Sequence, residues 1–327
     1  MREERNVVAG ADLAVRTDAL SKSYDGVHAV DSVDLRVPQH SVFGFLGPNG
    51  AGKTTTMKML LGLIRPTSGS GTILGLDIGT DSPKVRRRIG YLPQEPHFYS
   101  HMTARETLRF AAAFFFSGPT DRIEIRIDEM LELVGIADRA DRPIRTFSGG
   151  EIQRLGIAQA QIHKPDLLIL DEPAASLDPL GRRDVLAILE RFRATSTVFY
   201  STHILDDVQR VSDMVCVLNK GRIVSQGSMS EVLSTGSDSI FTVEVQGDVE
   251  GARTALLGQA WVDQVAVDGD GTLARLRITV NDPDAAEARL QRVLLEDETL
   301  VVKGFARQSA NLEDVFVDLV AEGPADD

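Results

Sequence analysis

Short apolar runs alternate along the chain with segments of helical periodicity. Val42–Leu46 and Leu167–Leu170 are continuous apolar runs, the pattern of strands that are buried on both faces of a parallel sheet. The first run precedes a glycine-rich stretch and then apolar residues at helical spacing between Met57 and Ile64. Up to about residue 230 this alternation predicts an α/β fold with a mainly parallel sheet wrapped by helices.

The glycine-rich stretch reads GPNGAGKTT and lies between a predicted strand and a predicted helix. A phosphate-binding P-loop has to lie between a strand and a helix in this way. Its glycines allow conformations and close approaches that a Cβ would obstruct, so backbone amides can cradle an anion. Lys53 would reach the β- and γ-phosphates and the Thr54 hydroxyl would bind Mg²⁺. The predicted nucleotide-binding residues are Gly47, Pro48, Asn49, Gly50, Ala51, Gly52, Lys53, Thr54 and Thr55.

Two carboxylates follow the second apolar run. Asp171 and Glu172 come directly after Leu170, and successive side chains of a strand point to opposite faces, so the two can act differently. Asp171 is predicted to hold Mg²⁺, and Glu172 to act on the attacking water as general base. A solvated acidic strand end is the alternative interpretation of Glu172.

Further motifs resemble those of one protein family. FSGGE, Phe147–Glu151, resembles the signature sequence of ABC-type ATPase subunits. In the order of that family, Tyr24 in LSKSYDG matches the aromatic that stacks on adenine, and Gln94 in GYLPQ matches the Q-loop glutamine. SLD at Ser176–Asp178 matches the D-loop, and His203 in STH matches the switch histidine. The sequence is therefore identified as a member of this family, with an ATP-binding domain at 14–235.

The resemblance implies a site shared between two chains. Ser148 would cap a helix whose free amides, with Gly149 and Gly150, contact the γ-phosphate bound by the opposite subunit. Asp178 is assigned to the same nucleotide site, and hydrolysis is expected to need a dimer. The chain departs from the family pattern at Glu151, where glutamine is usual. The added negative charge lies one residue beyond the predicted anion site.

The remaining motif residues have both functional and ordinary interpretations. By resemblance, Gln94 reaches Mg²⁺ or the water and couples the nucleotide site to a transport partner. His203 would contact the γ-phosphate and hold the water, and Tyr24 would form the adenine platform. Taken alone, each could be an ordinary loop amide, helix cap or half-buried ring.

A helical insertion is predicted at about residues 98–150. It contains the capping box Thr103 and Glu106, followed by apolar residues at near-helical spacing. Its many aromatic residues include Phe98, Tyr99 and the FAAAFFF run from Phe110 to Phe116. We expect most of them to lie in the core and a minority to be exposed for docking a partner.

The chain changes character near residue 238. From there to the end it has 19 acidic and 7 basic residues, a net charge of −12, whereas the whole chain has 48 and 35, or −13. The region 238–321 is predicted to form a βαββαβ, ferredoxin-like accessory domain. Its predicted elements are a strand at Phe241–Val245, a helix at Ala252–Gln259, strands at Val262–Val267 and Leu273–Val280, a helix at Pro283–Leu295, a strand at Leu300–Phe305 and a helix at Leu312–Ala321. The segment LEDVFVDLV, Leu312–Val320, resembles the tail of ATP-binding subunits from daunorubicin-resistance exporters.

The localisation is predicted from what the chain lacks. No run reaches the roughly 20 apolar residues that span a bilayer, and MREERNVVAG lacks the apolar core of a signal peptide. The single cysteine, Cys216, lies in an apolar strand, which indicates a buried structural role. The chain is expected to be cytoplasmic, held at the inner face of the cell membrane through a transmembrane permease.

Two functions are compatible with these motifs. The first is the ATPase subunit of an ABC exporter, in which a homodimer, or a pair with a second ATP-binding subunit, hydrolyses MgATP and drives transmembrane permease subunits. The second is a soluble ABC-type ATPase acting on nucleic acid or ribosomes. The single P-loop, the absence of a long heptad segment and the acidic C-terminal region favour the first. No nucleic-acid partner is expected.

Overall fold

The computed structural model describes residues 12–117, 119–175, 177–235, 239–269, 273–297 and 299–308, which divide into two compact units between Met229 and Ser230. The strands of the first unit are β1 Leu13–Tyr24, β2 Val27–Val33, β3 Arg36–Pro38, β4 Val42–Leu46, β5 Ser68–Ile73, β6 Leu76–Asp77, β7 Ile89–Leu92, β8 Leu167–Leu170, β9 Thr197–Thr202, β10 Met214–Asn219 and β11 Arg222–Ser228. Its helices are α1 Lys53–Leu60, α2 Ser82–Arg87, α3 Ala104–Ala112, α4 Thr120–Leu133, α5 Gly149–Gln161, α6 Pro179–Phe192 and α7 Leu205–Val211, and α8 Met229–Thr235 begins at the boundary. The second unit contains β12 Ser239–Gln246, α9 Val249–Leu257, β13 Val262–Asp268, β14 Ala274–Val280, α10 Pro283–Leu295 and β15 Val301–Gln308.

A six-stranded sheet in the order β11-β10-β4-β9-β8-β7 forms the centre of the first unit. All its neighbouring strands are parallel except β11, which pairs antiparallel at one edge. Side chains of β8 alternate between two cores, Leu168 and Leu170 in one and Leu167 and Ile169 in the other. Both faces are therefore covered, as the continuous apolar runs predicted. The carboxyl ends of β4, β8 and β9 meet at one edge, where ligands of open α/β sheets bind.

A second sheet of five strands has the order β2-β1-β5-β6, with β3 also paired to β1. All its pairings are antiparallel, so the prediction of a mainly parallel sheet holds only for the six-stranded one. Strand β1 is irregular, with register shifts near Leu20 and Lys22. It also buries the polar Thr17, whose hydroxyl donates to the Val33 carbonyl at 2.6 Å. These interruptions hide the strand's alternation in the sequence.

The helical insertion contains α3, α4 and the start of α5. Thr103 caps α3 in the predicted capping box, with its backbone N–H donating to the Glu106 carboxylate at 2.8 Å. The expectation that most of the aromatic residues are core is wrong, because five aromatic side chains are 38–74% exposed. Helix α3 ends at Ala112, so the last three phenylalanines follow it in a turn. The exposed aromatic residues are Tyr99, Phe110, Phe114, Phe115 and Phe116.

The second unit has the predicted βαββαβ order over its described residues. Its sheet runs β13-β14-β12-β15 with antiparallel pairing throughout, which is a ferredoxin-like arrangement. Phe241, Val243 and Val245 of β12 are buried in its core. The bounds predicted for α10, Pro283–Leu295, are confirmed. Asp282 caps the start of this helix by accepting a hydrogen bond from the Ala285 N–H at 3.0 Å. The helix predicted at Leu312–Ala321 lies outside the described residues.

Among the described residues, no helix is both long enough and apolar enough to cross a bilayer. Cys216 of β10 is fully buried, as predicted, and burial raises the pKa of its thiol. A buried thiol with a raised pKa is a structural group rather than a nucleophile.

Candidate active site

The glycine-rich loop connects β4 to α1, and each of its glycines has a physical requirement. Gly50 and Gly52 have φ of +81° and +104°, a conformation that side chains other than glycine rarely adopt. A Cβ on Gly47 would lie 2.4 Å from the Leu218 carbonyl oxygen. No described side chain caps α1, so the amides at its start face the loop and can bind an anion.

A cavity of about 330 Å³ opens above this loop and is called the phosphate cavity here. It brings together most of the predicted binding residues with Gln94 and Glu172. Its lining consists of Ala29, Pro48, Asn49, Gly50, Ala51, Gly52, Lys53, Thr54, Thr55, Gln94 and Glu172.

Lys53 lies at the bottom of the phosphate cavity, with its side chain only 6% exposed. Its ammonium donates to the carbonyl oxygens of Gly47 at 2.6 Å and Pro48 at 3.2 Å. It also lies 3.3 Å from Glu172 Oε1. A buried ammonium is tolerated when a counter-charge and hydrogen-bond acceptors surround it. Lys53 is thus held in place within the loop, where a phosphate would meet it.

Thr54 and Asp171 are in direct contact at the ends of α1 and β8. The Thr54 hydroxyl donates to Asp171 Oδ2 at 2.8 Å, and Ser201 donates to Asp171 Oδ1 at 2.6 Å. The same Ser201 oxygen accepts the Glu172 amide at 2.9 Å. Ser201 therefore orients both acidic residues, and it was missed in the sequence although it lies near the carboxyl end of β9, beside β8. The meeting of parallel strand ends at one edge was the available signal.

The Thr54 and Asp171 oxygens fit a divalent cation. Mg²⁺ prefers hydroxyl and carboxylate oxygens, and neighbouring ligands of an octahedral Mg²⁺ lie about 2.9 Å apart when its bonds are about 2.0–2.1 Å. The described residues contain no cluster of three or more His, Cys, Asp or Glu that could hold a metal. Water and phosphate oxygens would have to complete such a shell, as is usual for Mg²⁺ with nucleotides.

Glu172 adopts a left-handed backbone conformation with φ of +50°, which is uncommon outside glycine and asparagine. Because β8 ends at Leu170, this turn, rather than strand alternation, separates the Asp171 and Glu172 side chains. The Glu172 carboxylate is nearly buried, and His203 Nδ1 lies 3.0 Å and 3.2 Å from its two oxygens. A carboxylate fixed between Lys53 and His203 is positioned to accept a proton from a water molecule.

Tyr24 lies outside the lining of the phosphate cavity. It ends β1, its side chain is 47% exposed, and Lys22 Nζ lies 5.0 Å from its ring centroid. Gln94 is also exposed, follows β7, and does line the cavity. Among the described contacts, neither side chain is fixed by a hydrogen bond as Lys53 and Asp171 are.

The FSGGE segment lines a second cavity of about 390 Å³, called the signature cavity here. It shares no lining residue with the phosphate cavity. Ser148 caps α5 and is exposed. Asp178 lines the same cavity and caps α6 through the Gly181 amide at 2.9 Å; Ser176 lies outside the described residues. One chain therefore does not bring the two halves of the predicted site into one cavity.

Gly149, at the start of α5, has no steric reason to be glycine within its own chain. A Cβ built on it would meet no described atom within 4 Å, and its φ is not positive. Gly150 differs, because a Cβ there would lie 3.2 Å from Leu177 Cδ2. The open space above Gly149 is what a site completed from outside the chain requires.

Comparisons with known proteins agree with this geometry. Residues 30–175 match the ABC transporter family model. The chain is 39% identical over 312 residues to the uncharacterised ABC transporter ATP-binding protein YxlF of Bacillus subtilis, covering 93% of this chain and 98% of that protein. It is 34% identical to the daunorubicin/doxorubicin resistance ATP-binding protein DrrA of Streptomyces peucetius, covering 96% and 94% of the two chains.

A solved structure also matches. The cbiO1 protein of Clostridium perfringens, part of the ABC transporter complex cbiONQ, superposes with a TM-score of 0.63 at 29% identity, covering 76% of this chain and 96% of that one. The fold and the site define a P-loop ATPase cassette. The chain belongs to the family of ABC transporter ATP-binding subunits, which are ATPases.

Proposed function

We propose that this chain is the ATP-hydrolysing subunit of an ABC exporter, in which two cassettes close on two MgATP molecules and drive transmembrane permease subunits. The contacts of the buried Glu172 with the buried Lys53 and with His203, whose side chain is 43% exposed and lies outside the phosphate cavity lining, carry the catalytic part of the proposal. The exporter part rests on similarity to resistance and transport proteins such as DrrA. Under this proposal the chain works at the inner face of the cell membrane.

The predicted site residues in and beside the phosphate cavity have distinct roles in this proposal. The loop amides and Lys53 bind the phosphates. Thr54, Asp171 and Gln94 would hold Mg²⁺, which would neutralise phosphate charge when bound. Glu172 accepts the proton of the attacking water, and His203, which contacts both Glu172 oxygens, keeps that carboxylate oriented toward the cavity.

A second chain would complete the site. Ser148 and Gly149 are exposed; Ser148 lines the separate signature cavity, and the space above Gly149 is open. We place Ser148, Gly149, Gly150 and Asp178 of one chain against the nucleotide bound in the phosphate cavity of its partner. Tyr24, exposed at the end of β1, would stack on the adenine.

An apolar surface on the helical insertion favours the proposal that a permease subunit binds this chain. A groove of about 720 Å³, called the aromatic groove here, includes Tyr99, Phe110, Phe114 and Phe115 in its lining. Phe110 and Phe114 pack edge to face at 5.2 Å yet are 51% and 74% exposed. Contiguous exposed rings of this kind mark protein interaction sites. We propose that an apolar helix of the transmembrane subunit docks in the aromatic groove.

Mixing two defective chains tests the shared site. Ser148→Arg blocks the signature cavity, and Glu172→Gln removes the base, so each protein alone should be nearly inactive. In a mixed dimer one composite site carries both changes and the other carries neither. When equal amounts pair at random, about half of the dimers are mixed and each mixed dimer has one intact site. About one quarter of all sites should therefore be intact, and activity should recover to about that fraction. Chains that exchange subunits yet remain as inactive as their parents would contradict the proposal.

The exporter assignment needs a separate measurement. Purification of the full chain from its native membranes should recover a transmembrane subunit, and Phe114→Asp should reduce that recovery because it places a charge in the aromatic groove. ATPase activity stimulated by nucleic acid, with no membrane subunit recovered, would contradict it.

A further inference from the structure

Helix α5, which begins at the signature cavity, is capped by a capping box that involves the acidic Glu151. Glu151 Oε2 accepts the Ser148 backbone N–H at 2.7 Å and lies 3.0 Å from the Ser148 hydroxyl. That hydroxyl oxygen in turn lies 3.3 Å from the Glu151 amide. A carboxylate offers only acceptors, so the hydroxyl proton of Ser148 points at Glu151.

The direction of that proton matters for the proposed function, on which this inference rests. To bind a γ-phosphate presented by a partner chain, Ser148 must donate its proton to a phosphate oxygen. In the single chain the proton is already engaged by Glu151. The Glu151 carboxylate also brings a negative charge to within hydrogen-bond distance of the residue that is to meet an anion, and like charges repel strongly at such short range.

A second partner for Glu151 lies within the same cavity. Arg139 Nε is 3.6 Å from Glu151 Oε1, and Arg139 also pairs with Asp138 at 3.0 Å. All three residues line the signature cavity together with Ser148. Because one Glu151 oxygen holds Ser148 and the other faces Arg139, a rotation of the carboxylate toward Arg139 frees the serine hydroxyl and neutralises the acidic charge.

We propose that Glu151 is a latch on Ser148 that opposes closure of the ATP-bound dimer until its carboxylate moves to Arg139. Glu151 and Arg139 are then positioning residues, acting on the nucleotide through Ser148. The latch sets the MgATP concentration at which two chains close and leaves the chemical step at Glu172 unchanged.

The chain offers a matched control in its other capping box. Thr103 caps α3 with Glu106 in the same way, the Thr103 N–H donating to Glu106 at 2.8 Å and the Glu106 N–H to the Thr103 hydroxyl at 3.1 Å. Glu106 lines none of the cavities described above. Glutamine preserves a capping box, so Glu151→Gln and Glu106→Gln both keep the cap and remove one charge, and the comparison measures the effect of the Glu151 charge on closure.

Dimer formation is the readout. In the full chain carrying Glu172→Gln, which holds ATP without turnover, light scattering gives the MgATP concentration for half-maximal dimerisation. Glu151→Gln should lower this midpoint about tenfold, Glu106→Gln should change it less than about twofold, and Arg139→Gln should raise it. In the Glu151→Gln chain the effect of Arg139→Gln should disappear. The tenfold gain should shrink at high salt, because partly exposed charges are screened.

The outcomes separate the latch from the function on which it rests. Calorimetry on the same chains measures MgATP binding. If no chain binds MgATP, both the proposed function and the latch fall. If all bind normally and the midpoints of Glu151→Gln and its parent coincide, only the latch falls. An Arg139→Gln effect of equal size with and without Glu151 would also overturn it, since Arg139 would then act on the nucleotide directly.

Discussion

The phosphate cavity and the signature cavity differ in how complete they are within one chain. In the first, Lys53, Asp171 and Glu172 are 1–7% exposed and each charged group already has partners. Ser148, which lines the second, and the adjacent Gly149 are both exposed to solvent. Buried charges require neighbours to compensate their lost hydration, whereas an exposed helix N-terminus can remain open to water. Under the proposed function, one half of the site is therefore assembled by folding and the other would be completed by association.

The largest expected effect concerns the buried half. Glu172→Gln removes the proposed base and preserves its shape, so MgATP binding should persist while turnover falls ~10²- to 10⁴-fold. Steady-state ATPase assays and calorimetry measure the two quantities. Glu190→Gln on the exposed face of α6 removes the same charge and should leave turnover unchanged. Near-normal turnover in the Glu172 variant would remove this residue from the mechanism.

Lys53→Ala should affect binding itself. Hydrogen bonds to charged groups contribute about 1.5–3 kcal/mol, so MgATP affinity should fall roughly 10- to 100-fold. Lys58→Ala is the matched control, because Lys58 lies on the same helix α1 and is exposed. Calorimetric titration compares the two. Equal affinities would mean that the buried ammonium does not meet the phosphates.

Gly149→Ala tests the exposed half. Its Cβ meets no described atom of its own chain, so the free energy of unfolding should hold or rise slightly. Dimerisation with MgATP should weaken roughly tenfold, because overpacking a close contact costs about 1–3 kcal/mol.

Gly156→Ala on the same helix is the converse case. Its Cβ would lie 2.5 Å from Leu92 Cδ1, so stability should fall by about 1–3 kcal/mol. Chemical denaturation and light scattering on both variants separate folding from association. A Gly149 variant that dimerises normally would mean that nothing packs above this residue.

The sequence predicted the parts of this molecule whose signals are local. The apolar runs predicted the bounds of β4 and β8, and the helix predicted at Pro283–Leu295 coincides with α10. Parallel strand ends meet at one edge, so the grouping of the loop with Asp171 and Glu172 could also be anticipated.

The remainder depends on contacts between distant segments. The antiparallel sheet around β1 pairs residues such as Val15 with Ile73, and no local period encodes such a pairing. The left-handed turn at Glu172 is likewise imposed by its surroundings, where Ser201 holds its amide. Exposure of Phe114 depends on where α3 ends and what it packs against, which hydrophobicity alone does not determine.

The smallest expected effect concerns Tyr24, which lies outside the lining of the phosphate cavity. Tyr24 is 47% exposed and its ring has open faces apart from the Lys22 ammonium. Stacking of an aromatic ring contributes about 0.5–1.5 kcal/mol beyond buried area, so Tyr24→Ala should weaken MgATP binding about two- to tenfold, and Tyr24→Phe should not. Magnesium tripolyphosphate lacks the base, so its affinity should be equal in all three chains. An equal loss of affinity for both ligands would mean that Tyr24 stabilises the fold of the phosphate-binding loop and does not stack on the adenine.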